Sequence, residues 1–119
     1  MTDHVRRFKH QKNNMSFRTV LLYPFKTKAR FDLDYYTNIH MPLVQKHFSP
    51  HGLKSWEITK FSPETNQQFN IQVILMGESA EGAKAAGDTP GAKELADDVA
   101  NFSDELPLML TGTVVKSSL

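Results

Sequence analysis

The stretch Phe17-Arg18-Thr19-Val20-Leu21-Leu22-Tyr23-Pro24-Phe25 constrains this chain more than any other. Its richness in aromatic and β-branched residues marks a strand over 17 to 25 that ends near Pro24. Successive side chains of a strand point to opposite faces, and here both sets are apolar: Phe17, Leu21 and Phe25 on one side, Val20 and Leu22 on the other. The sheet that holds this strand therefore needs cover on both faces.

The rest of the chain supplies cover for only one. After the polar loop Lys26 to Arg30, Asp32 is placed to cap a helix, with Asp34 in the first turn where a carboxylate suits the dipole. Phe31, Tyr35, Ile39 and Leu43 recur at near-helical spacing beside a second stripe of Tyr36, His40, Val44 and His47. Pro42 falls inside this pattern, so a kink or restart is expected there, with the helix ending near Ser49-Pro50 and a turn at Gly52. Residues 53 to 61 and 69 to 76 read as two strands of an antiparallel hairpin, joined by the polar connector Ser62 to Gln68. A second helix follows from Ser79, in two pieces because Gly87-Asp88-Thr89-Pro90-Gly91 interrupts it. The last strand, 108 to 115, begins just after Pro107.

The order strand, helix, strand, strand, helix, strand is that of an α+β, ferredoxin-like βαββαβ domain: a four-stranded antiparallel sheet with helices on one face. The second face remains bare and apolar, and pairing of two copies through their sheets into a dimeric α+β barrel is the expected solution. The chain alternative, folding of the N-terminal tail or the connector after Phe61 over that face, lacks apolar residues to do it.

At 119 residues one domain is expected, over 15 to 119. Residues 1 to 14 carry four basic side chains against Asp3, a local charge of +3 in a chain of net +1, so the remainder carries −2. This polar, aperiodic segment reads as a disordered N-terminal extension, with a targeting segment as the sharper alternative. No basic stripe with interleaved aromatics lies in the folded part, which argues against nucleic acid as a partner. The longest apolar run, Val20 to Tyr23, is far short of a membrane span. The absence of cysteine excludes disulfides and thiolate sites and suits a cytoplasmic setting.

The run Phe31-Asp32-Leu33-Asp34-Tyr35-Tyr36-Thr37-Asn38-Ile39-His40-Met41-Pro42-Leu43-Val44 resembles the signature helix of the EthD family, named for ethyl tert-butyl ether degradation. Leu22-Tyr23-Pro24, Gly52-Leu53, the Gly87-Asp88-Thr89-Pro90 break and Asn101-Phe102-Ser103-Asp104 extend the resemblance across residues 16 to 117. Ala100 departs from it, standing where proline would be expected. The resemblance implies a dimeric α+β barrel related to cofactorless monooxygenases, lactone isomerases, haem-handling enzymes and polyketide-processing proteins.

Within that frame Tyr36 and His40, four residues apart, share one helix face and can meet one ligand. Histidine suits proton transfer near neutral pH, and a phenol beside it can donate to a developing oxyanion, so His40 and Tyr36 are the expected catalytic residues. The structural alternative has His40 capping backbone groups freed at Pro42 while Tyr36 packs. Tyr23 and Trp56 are candidate substrate-binding residues if their strands face the helices, and otherwise aromatic core. Asp34, with Asp32, could orient a substrate or a histidine, although the first helical turn already explains both. His40, His47 and His51 are too far apart along a helix for one metal ion, and no phosphate-cradling glycine loop or second haem ligand is present, so neither metal nor cofactor is expected.

Two functions follow. One is an oxidoreductase or monooxygenase-type enzyme, or an accessory catabolic enzyme, that holds a small hydrophobic organic molecule while His40 moves a proton. The other is a non-catalytic binding or carrier protein for a hydrophobic metabolite, and a purely structural dimer stands behind both.

Overall fold

The computed structural model describes residues 16 to 64 and 68 to 119. The expected N-terminal extension, residues 1 to 14, lies outside them. Four strands, β1 (Phe17–Pro24), β2 (Leu53–Lys60), β3 (Phe69–Gly77) and β4 (Leu108–Thr113), form one antiparallel sheet in the order β2-β3-β1-β4. Helix α1 runs from Leu33 to Phe48, and α2 (Ala80–Gly87) and α3 (Pro90–Asp98) complete the layer. This is the ferredoxin-like α+β arrangement. None of these helices is long and apolar enough to cross a membrane.

Register sorts the two faces of the sheet. Leu21 opposes Val73 and Tyr23 opposes Ile71, and this set packs with Trp56, Ile58 and Leu75 into the core beneath the helices. On the other face Val20 opposes Ile74 on one side and Leu110 on the other, while Leu22 opposes Leu108. None of the described helices covers that face, and Leu108 and Leu110 remain about half exposed, at 50% and 53%. Phe25 leaves the pattern: the register shifts between Tyr23 and Pro24, and Phe25 ends outside β1 with its N–H donated to the Gln68 carbonyl. β4 stops at Thr113 rather than 115, where the Val114 N–H reaches the carbonyl of Ser16, just before β1 begins.

Helix α1 is capped as its sequence dictates, with Asp32 Oδ1 accepting from the Tyr35 N–H at 3.0 Å. Regular α-helix gives way before Pro42 and begins again at Met41, with Pro42 in the first turn, as expected of a restart. Between the two the five residues Tyr36–His40 take the π form, and the Met41 N–H donates to the Tyr36 carbonyl, five residues back. A proline in a regular helix has no N–H to give and clashes with the carbonyl four residues earlier, here Asn38. Widening the preceding turn relieves both problems and lets Met41–Phe48 continue as α-helix. The wide turn also shifts the helix phase. Tyr36, His40, Met41 and Val44 are buried, whereas Ile39, expected on the apolar stripe, is 48% exposed.

The helix ends and the α2–α3 break follow local chemistry. Gly52 takes φ 98° after a short 3-10 turn, a left-handed conformation that suits glycine. Ser79 caps α2 and Thr89 caps α3, where Pro90 occupies the first turn. At Gly91 a Cβ would lie 2.6 Å from His47 Nδ1, so this glycine lets α3 pack directly on the imidazole of α1.

Candidate functional site

The π turn sets Tyr36 and His40 inward at the end of the sheet where β1 leaves the core. His40 Nδ1 lies 2.9 Å from Oδ2 of Asp98, the last residue of α3. The other carboxylate oxygen, Oδ1, accepts from Tyr35 Oη at 2.6 Å and from Asn101 Nδ2 at 2.9 Å. Phe102 packs against the imidazole with ring centroids 4.6 Å apart, and Tyr36 stacks on it at 5.4 Å and 14°. Tyr23 and Phe31 close the group through edge-on contacts with Tyr36.

Protonation follows from this packing. Burial pushes His40 below its ordinary value, and the Asp98 carboxylate only partly offsets it, so the ring is neutral near pH 7. Burial would raise Asp98, but hydrogen bonds from Tyr35, Asn101 and His40 outweigh it and hold the carboxyl below its usual range. An ionised carboxylate only accepts, so the shared proton sits on His40 Nδ1 and leaves Nε2 with a free lone pair. Nε2 has no hydrogen-bond partner among the described residues, and the side chain keeps 7% of its surface accessible.

Of the other sequence candidates, Tyr36 is completely buried, and its hydroxyl lacks a partner of hydrogen-bonding geometry among the described residues. Burial, and after it the neighbouring Tyr23 hydroxyl, holds this phenol well above the usual range. Tyr23 lies on the helix-facing side and is pushed up to about 12 by burial, which the Tyr36 hydroxyl partly offsets. Trp56 donates from Nε1 to Gln45 Oε1 at 2.8 Å and packs against the core. Asp34 is exposed in the first turn of α1, away from the partner that His40 does have.

Asp98 and Tyr35 were not legible as site residues. One signal was present: a carboxylate in the last turn of a helix opposes the dipole, and neither Lys nor Arg stands near it in α3 to explain its place.

A second feature lies at the opposite end of the helix layer. A cavity of about 420 Å³ opens between α2 and the sheet, within the size range of small-molecule sites. Phe17, Leu21, Leu75 and Met109 line the sheet side, and Phe48 of α1 also lines it. The α2 side presents Ala80, Ala83, Lys84 and Gly87, a single helical stripe of mostly small residues whose size leaves the space unfilled. His40 and Phe48 are eight residues apart on α1, about 12 Å at helical rise, so the cavity and the His40–Asp98 pair are separate.

No protein-family model and no curated protein matches the chain. Solved structures do. An EthD-like protein from Ralstonia eutropha JMP134 superimposes with a TM-score of 0.75 at 27% identity, covering 87% of this chain and 95% of its own. This chain is similar to an EthD-like protein over most of its length. A protein of the ethyl tert-butyl ether degradation family from Bacillus halodurans C-125 matches with a TM-score of 0.64 at 24% identity over 82% and 97% of the two chains. A dimeric ferredoxin-like protein of unknown function from Thermobifida fusca shares the fold at a TM-score of 0.57 and 14% identity, over 84% and 92%. The chain thus carries the expected βαββαβ architecture over nearly the whole of these neighbours.

Proposed function

We propose that this protein is a homodimer that binds a small hydrophobic organic molecule between its helix layer and its sheet. The observation that carries this reading is the cavity under α2, walled by Phe17, Leu21, Leu75, Phe48 and Met109. Transfer of apolar surface from water into such a space is favourable by about 25 cal/mol per Å². The dimer rests on the open sheet face, where Ile74, Val20 and Leu110 make an apolar row across three strands. Neighbours described as dimeric share this fold.

A second reading is an oxidoreductase or monooxygenase-type enzyme, or an accessory catabolic enzyme, in which His40 transfers a proton. It is favoured by the hydrogen bond between His40 and Asp98, which leaves Nε2 ready to accept a proton from a substrate C–H or O–H while Asp98 stabilises the imidazolium. The π turn that carries Tyr36 and His40 is itself a form found often at functional sites.

Native mass spectrometry of the wild type and His40→Ala, followed by denaturation and analysis of released small molecules, tests both. A dimer that carries an organic ligand in both proteins supports binding, and conversion of that ligand by the wild type alone supports the enzyme. An empty monomer, with no ligand taken up from added hydrophobic compounds, would sink both.

A further inference from the structure

We infer that the cavity under α2 takes a small amphipathic anion, its apolar body inside and its acidic group held at the mouth by Lys84. This rests on the cavity being a binding site and adds the chemical class of the ligand.

No acidic side chain lines the cavity itself; Glu78 packs against the lining residue Gly52. Among the lining residues the ionisable side chains are Lys84 and His51. The acids nearest in sequence do not neutralise the lysine. Glu81 and Asp88 stand three residues before and four after Lys84, spacings at which a helix commonly forms an ion pair, yet Lys84 makes none among the described residues. Glu78, at the start of the same segment, is engaged with Lys54 at 2.8 Å.

Lys84 shares the stripe Ala80, Ala83, Gly87 that faces the cavity, and it is exposed, so its stem follows the wall while its ammonium stays in water at the opening. Thr19, Thr111 and Ser79 supply hydroxyl groups in a lining that is otherwise largely apolar. A neutral hydrocarbon would use the walls and leave the ammonium idle. A molecule with one acidic group uses both.

A matched pair of fluorescent probes tests this: 8-anilinonaphthalene-1-sulfonate and N-phenyl-1-naphthylamine, which share an anilinonaphthalene body and differ by the sulfonate. Wild type should bind the anion about fivefold more tightly than the neutral probe, the order expected of one partly exposed charge pair. Lys84→Met should abolish that preference while the neutral probe binds as before, and Lys84→Arg should keep it. Ala83→Leu, which fills the space, should weaken both probes and so locates them in the cavity rather than on the open sheet face. A preference that survives Lys84→Met overturns the anion assignment and leaves the cavity as a binding site. Failure of both probes to bind wild type, or binding indifferent to Ala83→Leu, overturns the cavity reading itself.

Discussion

His40 Nδ1 and Asp98 Oδ2 lie 2.9 Å apart and tie the π turn of α1 to the last residue of α3. Both side chains are close to fully covered, with 7% and 12% of their surfaces accessible. A polar pair in that position contributes little when satisfied and costs much when one partner is removed, because the other is left desolvated.

Asp98→Ala should therefore destabilise the fold by about 1–3 kcal/mol, since it strands both His40 and the Tyr35 hydroxyl. In a double-mutant cycle with His40→Ala, followed by urea unfolding, the pair should show a coupling energy of about 0.5–3 kcal/mol. Strict additivity would mean that the two residues do not support each other.

Acid should expose the same pair. His40 titrates lower in the folded protein than in the unfolded chain, so above pH of about 6.5 it imposes no penalty. As the pH falls from there through the lowered folded value, the unfolded chain takes up the proton first and stability declines. Asp98 adds its own loss below pH of about 4, because its carboxyl is held lower in the folded state than in the unfolded. The drop in urea midpoint between pH 7 and pH 5 should be smaller in His40→Gln than in wild type. Equal slopes would remove His40 as the source.

The alkaline limb belongs to the phenols. All three tyrosines of the chain, Tyr23, Tyr35 and Tyr36, are raised in the folded state, the first and last chiefly by burial and Tyr35 by its bond to Asp98. Their contribution is complete below pH of about 10 and is lost as pH rises through the folded values. Tyrosinate absorbance should thus stay flat past pH 10 and rise together with the loss of far-ultraviolet circular dichroism. A phenol that ionises well before unfolding would contradict the packing around Tyr36.

On the open face Ile74→Lys places a charge at the β3 end of the Ile74, Val20, Leu110 row. Sedimentation should show a dimer for wild type and a monomer for the variant, with the circular dichroism of the fold retained. A variant that still sediments as a dimer would put the interface elsewhere.

Much of the architecture was legible because it rests on local rules. Strand alternation in 17 to 24, the Asp32 cap, the break before Pro90 and the proline ahead of β4 each point to one structure. What escaped was long-range. Nothing near His40 in sequence names Asp98, which lies 58 residues away. Ile39 was misplaced because a π turn spends an extra residue and rotates the stripe, a change that a 3.6-residue period does not contain. The cavity escaped for a related reason: small residues on α2 read as good helix formers, and the void they leave exists only once the helix meets the sheet.

The aromatic group of Tyr23, Phe31, Tyr36 and Phe102 joins the helix layer to the sheet at one end, while the space beneath α2 leaves the other end unfilled. Mechanically this is a clothes-peg: a stiff spring at one end and jaws at the other. Under the proposed binding, guests of different bulk would meet mainly alanine and glycine positions on the helix side of the jaws, and the aromatic end would keep its setting. On that reading, breadth of choice and fixity of the histidine fall at opposite ends of one small domain.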